Sequence, residues 1–187
     1  KEETKEETKE ETLAETSKER EITDMAGRTM TVPAEIKSVF SAGPAAAIYL
    51  YTLVPDRLLG WNYELNEVEK SVILEQYHNI PNFGMGDAVN YEAVIAAGPT
   101  IALNVGTINE KMVSDCDALA KSLGIPVVAV DGDLMAAPEA YRFMGELFGE
   151  EEAAEKPVSS LFIISYFNFS YVSSFNDFSI KLQPFYI

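Results

Sequence analysis

Asn90-Tyr91-Glu92-Ala93-Val94-Ile95-Ala96-Ala97-Gly98-Pro99-Thr100-Ile101-Ala102-Leu103-Asn104 reads as a helix, a stop and a buried strand in succession. Asn90 has a short side-chain carbonyl that can accept from first-turn amides. Gly98-Pro99 ends the helix, because glycine tolerates left-handed backbone and proline cannot extend the ladder. Thr100 to Asn104 is a continuous apolar run, as expected of a parallel strand covered on both faces.

The same unit recurs on both sides. Downstream, Asn109 to Leu123 reads as a helix closed by Gly124, Pro126-Val127-Val128-Ala129-Val130 as a strand, and Ala136 to Phe148 as a helix ending at Gly149. Upstream, Ser38-Val39-Phe40 is a short apolar run, and Ala45 to Leu53 is helical with Pro44 at its first position. Leu58-Leu59-Gly60-Trp61-Asn62 reads as a strand, Asn66 to Gln76 as a charged helix, and Asn82-Phe83-Gly84 as a short extended piece. Before these, Glu21 to Asp24 and Thr29 to Val32 alternate, and Met25-Ala26-Gly27-Arg28 joins them in a hairpin. The alternation of strand and helix predicts one three-layer, Rossmann-like α/β lobe over 21–149, with a mostly parallel sheet and an N-terminal β-hairpin.

The ends read differently. Residues 1–20 open with three copies of Lys-Glu-Glu-Thr, which have nothing to bury, and form an expected disordered acidic tether. Glu150 to Lys156 looks like the start of a helix that Pro157 breaks. Residues 157–187 hold only two charged side chains, Asp177 and Lys181, and nine aromatic ones, a strand-like and aggregation-prone composition.

Composition narrows the function. A net charge of −16 argues against nucleic acid or an anionic membrane surface as the main partner. One cysteine, Cys116, excludes an internal disulfide framework and a cysteine-based zinc site; a small buried side chain is its expected role. One histidine, His78, leaves no His-pair metal site and no obvious triad, and reads as a loop residue. Gly84-Met85-Gly86 has Val89 where a dinucleotide fingerprint needs a third glycine, and no P-loop lysine follows any glycine-rich stretch. Asp131 and Asp133 could hold a hard cation or act as a carboxylate pair, or be two solvated turn residues. The expectation is no enzyme, no catalytic residue, no cofactor and no protein-held metal.

In open α/β sheets, ligands sit beyond the carboxyl ends of the strands. Those ends are Ser41-Ala42-Gly43, Asn62-Tyr63-Glu64, Gly84-Met85-Gly86, Asn104-Val105-Gly106-Thr107 and Asp131-Gly132-Asp133. Several carry glycine, which lets a ligand approach the backbone.

Ile22-Thr23-Asp24 with Gly27-Arg28 and Thr31-Val32-Pro33 resembles the opening of iron-complex and cobalamin-type (class III) periplasmic binding proteins. Val39 to Ala45, Asp56 to Trp61, Gly84 with Asn90 to Thr100, Leu123 to Val127 and Met144 to Gly149 resemble further family segments in the same order. The resemblance implies the solute-binding component of an ABC importer for a ferric siderophore, haem or cobalamin-like ligand, extracytoplasmic and lipid-anchored at the outer face of the cytoplasmic membrane. It implies that Ser41, Ala42, Gly43, Trp61, Tyr63, Met85 and Thr107 line the ligand cleft and that Glu92 docks on the ABC permease. Trp61 could equally be a core residue, and Glu92 is also a first-turn carboxylate favoured by the helix dipole.

The family fold has two lobes joined by a long helix. The expectation is therefore a chain truncated to its first lobe, with 150–156 the start of the inter-lobe helix. Residues 157–187 could be out-of-frame sequence, a packed cover for surface left by the lost lobe, or, less fittingly given their serines, a membrane segment. Half a cleft would bind its solute weakly, and a homo-oligomer through 157–187 could supply a second wall. The alternative function is a repurposed interaction module that self-associates through this aromatic tail.

Overall fold

The computed structural model describes residues 19–159. Residues 1–18, most of the expected tether, and 160–187, most of the aromatic tail, lie outside them. The described chain is mixed α/β, as the apolar runs predict. A hairpin of β1 (Glu19–Thr23) and β2 (Thr29–Pro33) precedes a parallel sheet of β3 (Val39–Ser41), β4 (Ile101–Gly106) and β5 (Val127–Asp131), in the order β3-β4-β5. The helices are α1 (Pro44–Leu53), α2 (Glu67–Val72), α3 (Tyr91–Ala97), α4 (Glu110–Leu123), α5 (Ala137–Phe148) and α6, spanning 151–159.

Side-chain alternation along the strands builds two cores. Val39, Ile101, Leu103, Val128 and Val130 face one layer with Leu50 of α1, Met144 and Leu147 of α5, and Ala154 and Val158 of α6. Phe40, Ala102, Val127 and Ala129 face the other layer with Val94 of α3 and Met112 and Cys116 of α4. Tyr49 of α1 stacks on Tyr141 of α5 at 4.8 Å.

The hairpin turn is bound to the free edge of β5. The buried Asp24 carboxylate accepts from the backbone N–H groups of Ala26 (3.0 Å), Arg28 (2.9 Å) and Ala129 (3.0 Å), and from the Arg28 guanidinium. The Met25 N–H donates to the Ala129 carbonyl at 3.2 Å. Arg28 also donates to the Val127 carbonyl (2.6 Å) and to Asp117 (2.7 Å). Burial opposes the Arg28 charge, but the bonds to Asp24 and Asp117 outweigh it and raise its pKa further. Exposed strand edges invite wrong pairing, and this turn covers one.

Four expectations need correction. The hairpin begins at Glu19, so Glu19 and Arg20 belong to the fold rather than to a tether, and Arg20 donates to the Leu147 carbonyl. Leu58 to Asn62 forms no continuous strand. It makes isolated parallel bridges, Leu58 to Val39 and Trp61 to Asn82, around Gly60, where an added Cβ would lie 2.3 Å from the Pro81 carbonyl. The charged helix stops at Val72. Ile73 and Leu74 are extended, with the Leu74 N–H donating to the Tyr51 hydroxyl and the Ile73 carbonyl 2.7 Å from His78 Nε2, before a 3-10 turn at Glu75–Tyr77.

The fourth correction concerns Pro157, which does not break the helix: α6 runs through it to residue 159. Interior proline costs about 3 kcal/mol. Opposing this, Ala154 and Val158, spaced i and i+4, are buried in the core. Full burial of a valine contributes about 1.5–3 kcal/mol. Gly145 makes the approach close, since a Cβ there would lie 2.7 Å from that of Ala154.

Two stability measurements follow. Asp24→Ala strips the acceptor from three backbone amides and leaves Arg28 half-buried without its main partner. It is expected to lower unfolding free energy by about 3–5 kcal/mol in urea titration, whereas Lys37→Ala, at the exposed Glu35 pair, changes it by under about 0.5 kcal/mol. Pro157→Ala restores the missing helix donor and is expected to add about 1–3 kcal/mol; no gain would mean α6 does not pass through residue 157 as a regular helix.

Candidate functional site

Extended by its bridges, the sheet has the spatial order Asn82, Leu58–Trp61, β3, β4, β5. The chain therefore steps outward from β3 on one side, then returns to lay β4 on the other. That reversal is a topological switch point, and it opens a crevice beyond the carboxyl ends of β3 and β4.

On the β3 side, Ala42 N–H still bonds the Leu103 carbonyl at 2.9 Å, keeping the two strands paired to their ends. Gly43 is the extended N-cap of α1, no side chain caps it, and Pro44 follows at the first turn. On the β4 side lies a shallow cleft of about 240 Å³ lined by Asn104, Gly106, Thr107, Asn109, Lys111 and Asp115, with Met112 at its base. Asn109 caps α4 by accepting from the Met112 N–H, and Lys111 pairs with Asp115. Gly132 lies directly against Gly106, its N–H donating to the Gly106 carbonyl at 2.9 Å, so Asp131 and Asp133 flank the same crevice. Asp133 N–H donates to the Asp131 carboxylate and the Met135 N–H to Asp133, which makes this pair a turn. The turn carries two exposed apolar side chains, Leu134 at 76% and Met135 at 82% exposure.

The expected lining residues separate into two groups. Ala42 and Gly43 are half-buried at the crevice, Thr107 is exposed there and lines the cleft, Met85 is 52% exposed, and Tyr63 is half-buried at a neighbouring strand end. Tyr63 donates to Glu69 at 2.9 Å; burial and then this bond raise its phenol pKa. Ser41 and Trp61 face inward. Ser41 is fully buried, its hydroxyl 3.1 Å from Asn62 Oδ1, while Asn62 Nδ2 donates to the Ser41 carbonyl at 2.9 Å. Trp61 is 4% exposed, donates to the Tyr77 carbonyl at 2.7 Å and packs on Tyr51. Neither offers a surface to a ligand. Of the two readings of Trp61, the core residue holds. Sequence reading missed Asn109, Asp115, Leu134 and Met135; the only signal for the last two was an apolar pair set straight after a strand end.

Glu92 is exposed in the first turn of α3, which Asn90 caps by accepting from the Ala93 N–H. Because α3 feeds β4 from the opposite direction, Glu92 stands at the same end of the sheet as the crevice. Cys116 is fully buried below the cleft, with Asn104 Nδ2 3.4 Å from its sulfur. Burial pushes its thiol pKa up, against smaller opposing effects of Asn104 and Arg28. His78 is half-buried beside Ile73.

No family model and no curated protein matches the chain; the likeness lies with solved structures. It is similar in fold to an ABC transporter solute-binding protein from Sulfurospirillum deleyianum, with 23% identity, TM-score 0.61, and 72% of this chain on 44% of that one. A TroA-like periplasmic binding protein, FepB, from Veillonella parvula matches at 21% identity and TM-score 0.60, covering 84% of this chain and 50% of that one. IsdE of Staphylococcus aureus, complexed with haem, matches at 17% identity and TM-score 0.59, covering 77% of this chain and 52% of that one. The chain has the fold of one lobe of these binding proteins and spans about half their length.

The burial of Cys116 sets a chemical expectation. With its pKa raised and no exposure, the thiol in the native protein is expected to react with a disulfide reagent at pH 8 at least about 100-fold more slowly than in urea. Equal rates would place Cys116 outside the α4 core.

Proposed function

We propose that this chain is the N-terminal lobe of the solute-binding component of an ABC importer for a ferric siderophore, haem or cobalamin-like ligand. The carrying observation is the switch point between β3 and β4, with a shallow cleft beside it whose described lining holds Gly106 and no nucleophile–base pair. Such a place suits capture rather than turnover. Ala42, Gly43, Thr107, Met85 and Tyr63 present the first wall to the solute; Ser41 and Trp61 hold that wall from behind. A second wall comes from a further lobe or from a second copy of this chain.

Glu92 serves as the docking carboxylate for a basic pocket on the permease. It is exposed, it stands on the crevice side of the lobe, and α3 is fixed from beneath by buried Val94. The role places the protein outside the cytoplasmic membrane, and among the described residues no helix is long and apolar enough to cross one.

Calorimetric titration of the full chain with a ferric trihydroxamate, haem and cyanocobalamin tests the reading. At least one is expected to bind, and Thr107→Arg, which fills the cleft, is expected to weaken that binding by about tenfold or more. Glu92→Lys is expected to reduce solute uptake by cells at least about tenfold with circular dichroism unchanged. Binding of none of the three solutes would overturn the proposal.

A further inference from the structure

The charges around the crevice select among solutes. Lys111 is the one basic side chain among its described lining residues, and it is paired with Asp115. Asp131 and Asp133 add two carboxylates on either side of Gly132, which touches Gly106 on the crevice wall. Counting Asp115, Asp131 and Asp133 against Lys111 leaves two negative charges without a cation. Against this, the uncapped amino end of α1 at Gly43 contributes only about half a positive charge.

Several other basic residues of the described chain are committed elsewhere. Arg28 is held at β5, Lys37 pairs with Glu35 ahead of β3, Arg57 pairs with Glu150, and Arg142 pairs with Glu155. The turn after β5 is also apolar. Leu134 and Met135 are each more than three-quarters exposed there. A partner fitting both properties is amphipathic and carries positive or zero charge.

We infer that the crevice takes a cationic or neutral metal chelate with apolar edges, and discriminates against anionic chelates and against carboxylate-bearing macrocycles. The inference rests on the solute-binding reading above. The crevice defines the place; the carboxylates define the sign of what enters it. A unit charge about 6 Å from two carboxylates in water-like surroundings gains enough to change affinity several-fold, and the effect fades as salt screens it.

One chelate with three charges isolates this term. Ferrioxamine B carries a free ammonium and a net positive charge; its N-acetyl form is neutral and its N-succinyl form anionic, with the same ferric hydroxamate core. Full-length protein is titrated calorimetrically with each at low ionic strength and in 0.5 M NaCl. Affinity is expected to fall about three- to tenfold per unit charge from cationic to anionic at low salt, and the spread to shrink in high salt. Asp131→Asn combined with Asp133→Asn is expected to flatten the series, and an unchanged spread in that double variant overturns the charge preference. Equal or tighter binding of the succinyl form overturns the charge preference and leaves the solute-binding reading standing. So does binding of haem, with its two propionates, when no hydroxamate binds. Binding of nothing, cyanocobalamin included, overturns both.

Discussion

A central strand of only three residues, β3, has to satisfy its backbone polar groups on both sides, and the lobe is arranged around that requirement. On one side β4 supplies a regular parallel ladder. On the other there is no strand to supply one. The Leu59 N–H reaches the Val39 carbonyl, and the Asn62 amide takes over where backbone fails, donating to the Ser41 carbonyl. Buried Ser41 and Asn62 therefore replace a stretch of ladder. This substitution fixes the spacing between the Leu58–Trp61 segment and β3, and so fixes where the crevice opens.

The sheet has a second requirement at its far edge. Parallel sheets are buried structures, and β5 would otherwise expose N–H and C=O groups at Val127 and Ala129. The Asp24–Arg28 turn meets those groups with a carboxylate, a guanidinium and one backbone amide. The sequence pattern Ile22-Thr23-Asp24 with Gly27-Arg28 thus has a structural reason that is independent of any ligand. Gly27 adopts a positive φ in the turn, leaving Asp24 to accept from both Ala26 and Arg28.

Most of the fold was legible because its signals are local. Asn90 caps the helix it was expected to cap, and Gly98, Gly124 and Gly149 end theirs in the left-handed region. What was not legible depended on tertiary contacts. Leu58 to Asn62 has strand composition, but Gly60 must pass under the Pro81 carbonyl, which leaves room only for two bridges. Ile73 and Leu74 have helical spacing, yet Tyr51 and His78 draw their backbone into an extended path. Pro157 reads as a stop until Ala154 and Val158 are seen in the core. At the site, strand ends were readable but side-chain direction was not. Ser41 shares the inward face with Val39, and Trp61 found a carbonyl inside, whereas Leu134 and Met135, an apolar pair, are exposed rather than buried.

The turn that covers β5 has a consequence in time as well as in space. Asp24 and the Ala129 N–H that donates to it are 105 residues apart, so a ribosome must deliver most of the lobe before that contact can form. The hairpin itself is local and can assemble within microseconds. Closing such a long loop is entropically expensive and late, which makes the interval before closure the moment when a bare β5 edge could pair with another nascent chain. Closure of the hairpin clasp requires β5 to be in place, because the Ala129 N–H that donates to Asp24 lies on it.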